Sequence, residues 1–399
     1  MKKWLSLILA ASFVVSALSG CGEKNVENSS SEVSTIEVSS SQVSEVSGEN
    51  GDLVFDHSME LKYAKNFKVD YLSDGFKLLT VDDHENYKKE ILLVPEGKKA
   101  PEKSQFINEN TIVLNAPVKN MLVSSTPVVS LINAIDALDS VKMTTYKADS
   151  WYIDEVKKAT EDGLIKYVGH YKDPDYEIIA AEKPDFAVFS TMLNQVPEVE
   201  SKLVELSVKI ILDPSSAEPH PMARSEWMKF YGALLNKEAE AEEKFNEQCQ
   251  IFESITIPEG YKENAVIFYI TSKNVLHARR GGDYMAQMLE LAGGEYIFKD
   301  IESDKTGTVK MDFESFYEKA KDADDIIYVW SLGGKPETLE DFVAKNELFK
   351  DLKAVKEGNV WCTKSDYFQR ANAMGDMIND FNKVIIGDES DVKYLFKLK

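Results

Sequence analysis

The chain has 399 residues, of which 43% are apolar, 10% aromatic and 29% charged, a composition that excludes a disordered or low-complexity protein. One hydrophobic core stops growing at about 250–300 residues, so two lobes or domains are expected. With 46 Lys and Arg against 68 Asp and Glu, a net charge of −22, the chain lacks the basic surplus that nucleic-acid binding requires.

Residues 1–20 carry Lys2 and Lys3, then an apolar run from Leu5 to Leu18, then Ser19 and Gly20 before Cys21. This is the layout of a secretory signal. The apolar run is shorter than the ~20 residues a membrane span needs. Leu18-Ser19-Gly20-Cys21 resembles the bacterial lipobox, in which the Cys is acylated, so Cys21 is expected to anchor the mature chain at the cell membrane. Two acyl chains hold where one holds only marginally. Residues 22–52 contain nine Ser and six Glu and no aromatic residue, which predicts a flexible leash between Cys21 and a folded body.

From 53 to 110 the pattern is β. Phe67-Lys-Val69-Asp-Tyr71 alternates apolar and polar, Ser73-Asp74-Gly75 supplies a turn, and Phe76–Val81 answers it, a hairpin signal. Ile91–Val94 reads as a further strand. From 111 to 219, short apolar runs alternate with helical spacing: strand 111–114, helix 126–138, strand 165–168, helix 175–181, strand 186–189, helix 196–206 and strand 208–212. Such alternation argues a parallel sheet covered on both faces. Residues 220–257 then keep near-3.6 spacing of Trp227, Phe230, Tyr231, Leu234, Ala241, Phe245, Cys249 and Phe252, which predicts one long helix ended by Pro258 and Gly260. From 258 to 399 the alternation restarts, with strands at 265–270, 326–330 and 359–362 and helices at 283–292, 312–321, 337–344 and 373–386. The expected fold is α/β: two Rossmann-like lobes with parallel sheets bridged by one long helix, plus an N-terminal β-rich extension.

Four phrases give this order a family likeness. They are Tyr176-Glu177-Ile-Ile-Ala-Ala-Glu-Lys183-Pro184-Asp185, then Tyr284–Phe298 with its Ala-Gly-Gly, then Met311–Val329, and Leu352–Trp361 with Ala-Val-Lys-Glu-Gly-Asn-Val-Trp. Together they span about 111–385, and they resemble the solute-binding proteins of ABC importers for ferric siderophores, haem and cobalamin. The resemblance implies a binding protein and not an enzyme. It implies a metal chelate as cargo, no cofactor of its own, and an ABC permease with its ATPase subunits as partner. It further implies an extracytoplasmic, lipid-anchored location and a monomer. Residues 53–110 lie outside the family's usual core and are expected to pack on the N-lobe as an accessory.

No catalytic constellation stands out. The five His (57, 84, 170, 220, 277) have no zinc-ligand spacing, Cys249 falls on an apolar stripe and Cys362 ends a strand, and no phosphate-binding Gly-rich loop is present. Arginine usage is more informative. The chain has only Arg224, Arg279, Arg280 and Arg370 against forty-two Lys, and Arg is the residue that grips an oxyanion with a planar fork. All four fall at loops or helix starts that the resemblance places around the interlobe cleft, as do Trp151, Tyr152, Trp330 and Tyr367, so these eight are the expected ligand contacts. Glu177 and Glu314 match the family's one acid per lobe that docks on permease arginines. An oxyanion such as molybdate is the alternative cargo. A lipid-anchored hydrolase or adhesin is the alternative class, disfavoured because no nucleophile–base pair is visible.

Overall fold

A computed structural model describes residues 52–85, 87–330 and 334–399. The leader, Cys21 and all of the leash except Asp52 lie outside the described residues. No helix among those described is long and apolar enough to cross a membrane.

The N-terminal extension is a five-stranded sheet in sequential order: Phe55–Ser58, Phe67–Leu72, Lys77–Asp82, Lys88–Val94 and Ile112–Asn115. The expected hairpin is present, with Val69 opposite Leu79 and Asp74 at the turn in the left-handed region. The strand expected to open the N-lobe, at 111–114, instead pairs parallel with Lys88–Val94 and closes the extension's sheet. The N-lobe opens one strand later, at Met121–Ser124. That strand lies at the centre of an all-parallel sheet between Phe186–Ser190 and Val141–Thr144, with Ile210–Asp213 and Lys166–Tyr167 outside them. Its residues are all buried, as befits a strand covered on both faces.

The C-lobe sheet is mixed. Gly294–Tyr296, Glu263–Ile270, Asp325–Tyr328 and Val360–Thr363 run parallel; Leu276–Arg279 and Leu395–Lys397 run antiparallel to them, and Thr308–Met311 pairs antiparallel with Leu276–Arg279.

The single long helix expected over 220–257 is instead two helices, Pro221–Leu235 and Glu238–Glu253. Asn236 between them adopts φ +56°, ψ +44°. Asn tolerates this left-handed conformation, and one such residue ends a helix. The two helices fold back on each other. A Cβ at Gly232 would lie 2.7 Å from that of Ala241, and Lys229 pairs with Glu242 at 2.8 Å.

Every residue of Pro221–Leu235 is buried, because the extension, both lobes and the second helix surround it. One continuous core therefore joins Val123 and Ile132 of the N-lobe, Trp227 and Phe245 of the hairpin, and Phe268 and Phe381 of the C-lobe. The extension is tied into it by two buried carboxylates. Glu226 accepts from the backbone N–H groups of Lys62, Tyr63 and Ala64 at 2.6–2.7 Å. Glu218 accepts from those of Lys65 and Asn66, both at 3.0 Å, and from Trp227 Nε1 at 2.9 Å. The accessory expected on the N-lobe is thus strapped across the bridging helix.

Candidate functional site

The C-terminal ends of the parallel strands in both lobes open onto one cavity of about 720 Å³. In open α/β sheets this is where ligands bind. Met121–Ser124 leads to Thr126 at a helix start, and Val141–Thr144 leads to Thr145, Tyr146, Lys147 and Ser150. From the C-lobe, Asp325–Tyr328 leads to Trp330, and Val360–Thr363 leads to Ser365, Phe368 and Gln369. The wall is rich in rings: Tyr146, Tyr167, His170, Trp330 and Phe368. Tyr146 leans edge-on against Trp151 with centroids 5.6 Å apart, and burial pushes its hydroxyl pKa up, so it stays a neutral donor. Lys147 Nζ lies 5.9 Å from the Tyr167 ring centre. Among the described wall residues Lys147 is the one lysine, and no arginine is present.

Trp330 is the one wall residue among the eight expected ligand contacts. Tyr152 is exposed and sets its ring edge-on to Trp330, with centroids 6.0 Å apart. Trp151 is buried, and its Nε1 has no hydrogen-bond partner.

Two arginines lie deeper. Arg224, in the first turn of Pro221–Leu235, places its guanidinium 4.1 Å over the ring of Tyr284. Arg279 ends the strand Leu276–Arg279 with Nη1 3.6 Å from Asp283, and its guanidinium is 5.9 Å from the Tyr269 ring. The two are only 6% and 8% exposed, and the Nε of each has no hydrogen-bond partner, an arrangement that is costly unless something fills it. Tyr367 is buried beside them. Burial drives its hydroxyl pKa well up, Tyr284 adds to the shift, and Arg279 and Arg224 oppose it. Arg280 is instead paired with Glu302 at 2.7 Å, and Arg370 with Asp366 at 3.1 Å.

Sequence reasoning missed Tyr146, Tyr167, His170 and Phe368 on the wall and Tyr284 between the arginines. Tyr146 follows Val141–Thr144, a strand too short to stand out. Phe368 adjoins Tyr367, whose position after a strand was the available signal. No group of three or more His, Cys, Asp or Glu among the described residues is arranged to hold a metal ion. Cys249 and Cys362 are buried free thiols.

Glu177 and Glu314 occupy equivalent places. Each is exposed in the first turn of a helix, Tyr176–Glu182 in the N-lobe and Phe313–Ala320 in the C-lobe. Each helix starts with the pattern Asp–aromatic–Glu, and the Asp side chain, Asp175 or Asp312, caps the backbone. An acid at a helix start is favoured by the dipole, so the repetition is physically cheap as well as symmetric.

A solved periplasmic binding protein from Veillonella parvula superposes with a TM-score of 0.57 at 20% identity, covering 76% of this chain and 96% of the other. The triscatecholate siderophore binding protein of Bacillus subtilis gives a TM-score of 0.54 at 18% identity, covering 69% and 95%. An uncharacterised lipoprotein of Methanocaldococcus jannaschii is 27% identical over 92% of this chain and 89% of its own length. The periplasmic binding protein family model matches residues 123–367, more than half the chain and most of the cavity's lining. The chain belongs to the periplasmic binding protein family.

Proposed function

We propose that this protein is the receptor of an ABC importer, held outside the cell membrane by acylated Cys21, and that its cargo is a metal-bearing tetrapyrrole, haem or a corrinoid. The observation that carries this is the ring-lined interlobe cavity. The flat, apolar face of a haem gains from stacking on Trp330, Tyr146, Tyr167 and Phe368, and the methyl-bearing corrin ring of a corrinoid packs on the same rings. A ferric siderophore belongs to the same class of cargo. A strongly anionic triscatecholate, however, calls for several cations on the wall, and Lys147 is one. The lipoprotein naming of the archaeal relative supports the anchor.

A second cargo, a small oxyanion such as molybdate, is favoured by one observation: the buried pair Arg224 and Arg279 with unpartnered Nε groups. Glu177 and Glu314, one at the head of each lobe's helix, are proposed to meet permease arginines. Exposed charge pairs of that kind set orientation and encounter rate more than affinity.

Thermal-shift titration of the soluble body with haemin, cyanocobalamin, a ferric triscatecholate and molybdate tests the cargo, since a ligand that binds only the native state raises the melting temperature. The largest shift is expected with haemin or cyanocobalamin. A shift with molybdate alone would replace the tetrapyrrole with the oxyanion. The Glu177→Ala/Glu314→Ala double variant should give the same shifts while cellular uptake falls. Loss of binding in that variant would move the acids into the site.

A further inference from the structure

One contact crosses the cavity between the lobes without belonging to the shared core. Gln369, 7% exposed at the end of the C-lobe turn Tyr367–Gln369, accepts through Oε1 from the backbone N–H of Tyr152 at 2.9 Å. It donates through Nε2 to the backbone carbonyl of Ser150 at 2.8 Å. The carboxamide thereby engages both polar groups flanking Trp151, as a neighbouring strand would, and it reaches a segment 217 residues earlier in the chain.

Both sides of the contact rest on fixed ground. On the C-lobe side Tyr367 is buried and Arg370 grips Asp366. On the N-lobe side Trp151 is 2% exposed and packs against Tyr146. Between them stands the exposed ring of Tyr152, against Trp330 of the cavity wall. Ser150 and Gln369 themselves line the cavity. Opening the cavity along this edge requires breaking both hydrogen bonds and separating the two rings.

We infer that Gln369 is a positioning residue for closure. Its carboxamide fastens the 150–152 turn across the cavity, sets Tyr152 against Trp330, and so governs how long a captured ligand stays. The part concerning ligand residence rests on the binding function proposed above. The part concerning the turn does not. A shared core limits how far the lobes can swing, so a small, local fastening is a suitable gate. Gln369 touches the partner turn through both its amide oxygen and its amide nitrogen.

The test uses Gln369→Met, which keeps length and removes both amide groups, and Gln369→Glu, which keeps an acceptor for Tyr152 N–H but places a carboxylate against the Ser150 carbonyl. The first readout needs no ligand. Amide hydrogen exchange at Tyr152 in the ligand-free protein should be at least tenfold faster in Gln369→Met, with Gln369→Glu in between and the core strands unchanged. The second readout is haemin release to an excess of apomyoglobin. Release should be about tenfold faster in Gln369→Met, with capture much less affected, as two neutral hydrogen bonds of ordinary strength allow.

Wild-type exchange at Tyr152 in Gln369→Met would overturn the fastening. Faster exchange with unchanged haemin release would overturn its control of residence. A wild-type chain that takes up no haemin would count against the tetrapyrrole cargo, while Tyr152 exchange still decides the fastening.

Discussion

Asp325 starts the C-lobe strand Asp325–Tyr328 at the end away from the strand's ligand-facing terminus, and it is 5% exposed. Burial pushes its carboxyl up to about 8, helped by Glu263 and Asp324 and opposed by Lys397 and Lys353. A carboxyl raised in the folded state favours the native fold while it is protonated. Its contribution is complete below the ordinary value of 3.8 and is lost as pH rises through about 8. Asp325→Asn should therefore match the wild type near pH 4 and melt higher at pH 8.5, by several degrees. Equal melting temperatures at both pH values would show that the group ionises freely in the fold. At this scale the sequence was partly legible. The scarcity of arginine singled out all four guanidiniums as ligand contacts, yet none lines the cavity; the structure buries Arg224 and Arg279, each with an unpartnered Nε. Arg280 and Arg370 are held by Glu302 and Asp366. Count and position select residues able to grip an anion, but not which carboxylate reaches each of them through space.

Among elements, the strap at residues 59–66 shows how a segment without regular structure becomes part of the fold. Three of its N–H groups end on one carboxylate, Glu226, whose side chain is fully buried and 3.5 Å from Lys229. Each buried N–H left without a partner costs ~1–3 kcal/mol. Glu226→Ala should lower the melting temperature by several degrees and expose the strap to proteolysis near Lys62 and Lys65. A variant with wild-type melting and protease resistance would mean that the strap is held elsewhere. Each lobe strand and helix expected after residue 126, outside the bridging segment, has an observed counterpart, because buried parallel strands write continuous apolar runs. The short strands Val141–Thr144, Leu276–Arg279, Gly294–Tyr296, Thr308–Met311 and Leu395–Lys397 and the helix Asp154–Glu161 were not expected. Two larger departures have a physical reason. Met121–Ser124 is four residues long and was overshadowed by the equally apolar Ile112–Asn115, whose partner strand only tertiary pairing reveals. The break at Asn236 was invisible because Trp227, Phe230 and Leu234 before it and Ala241 and Phe245 after it keep helical spacing across a single left-handed residue. A periodicity records which residues are buried, not whether the axis continues through them.

For the molecule as a whole, the shared core decides how binding works. Trp227 and Phe230 in the fully buried bridging helix pack with Phe67 of the extension, and Met374 in the C-lobe bonds back to Ser225 of the same helix. Lobes joined in this way have little room to swing, so affinity comes from a largely preformed cavity whose rings are already in place. The most direct measurement is the calorimetric affinity for haemin of the wild type and of Trp330→Ala, with folding of both checked by their melting curves. Removing this ring of the cavity wall should weaken binding at least tenfold, the equivalent of about 1.4 kcal/mol of lost stacking and apolar contact. A folded Trp330→Ala protein that binds haemin within twofold of the wild type would place the cargo outside this cavity.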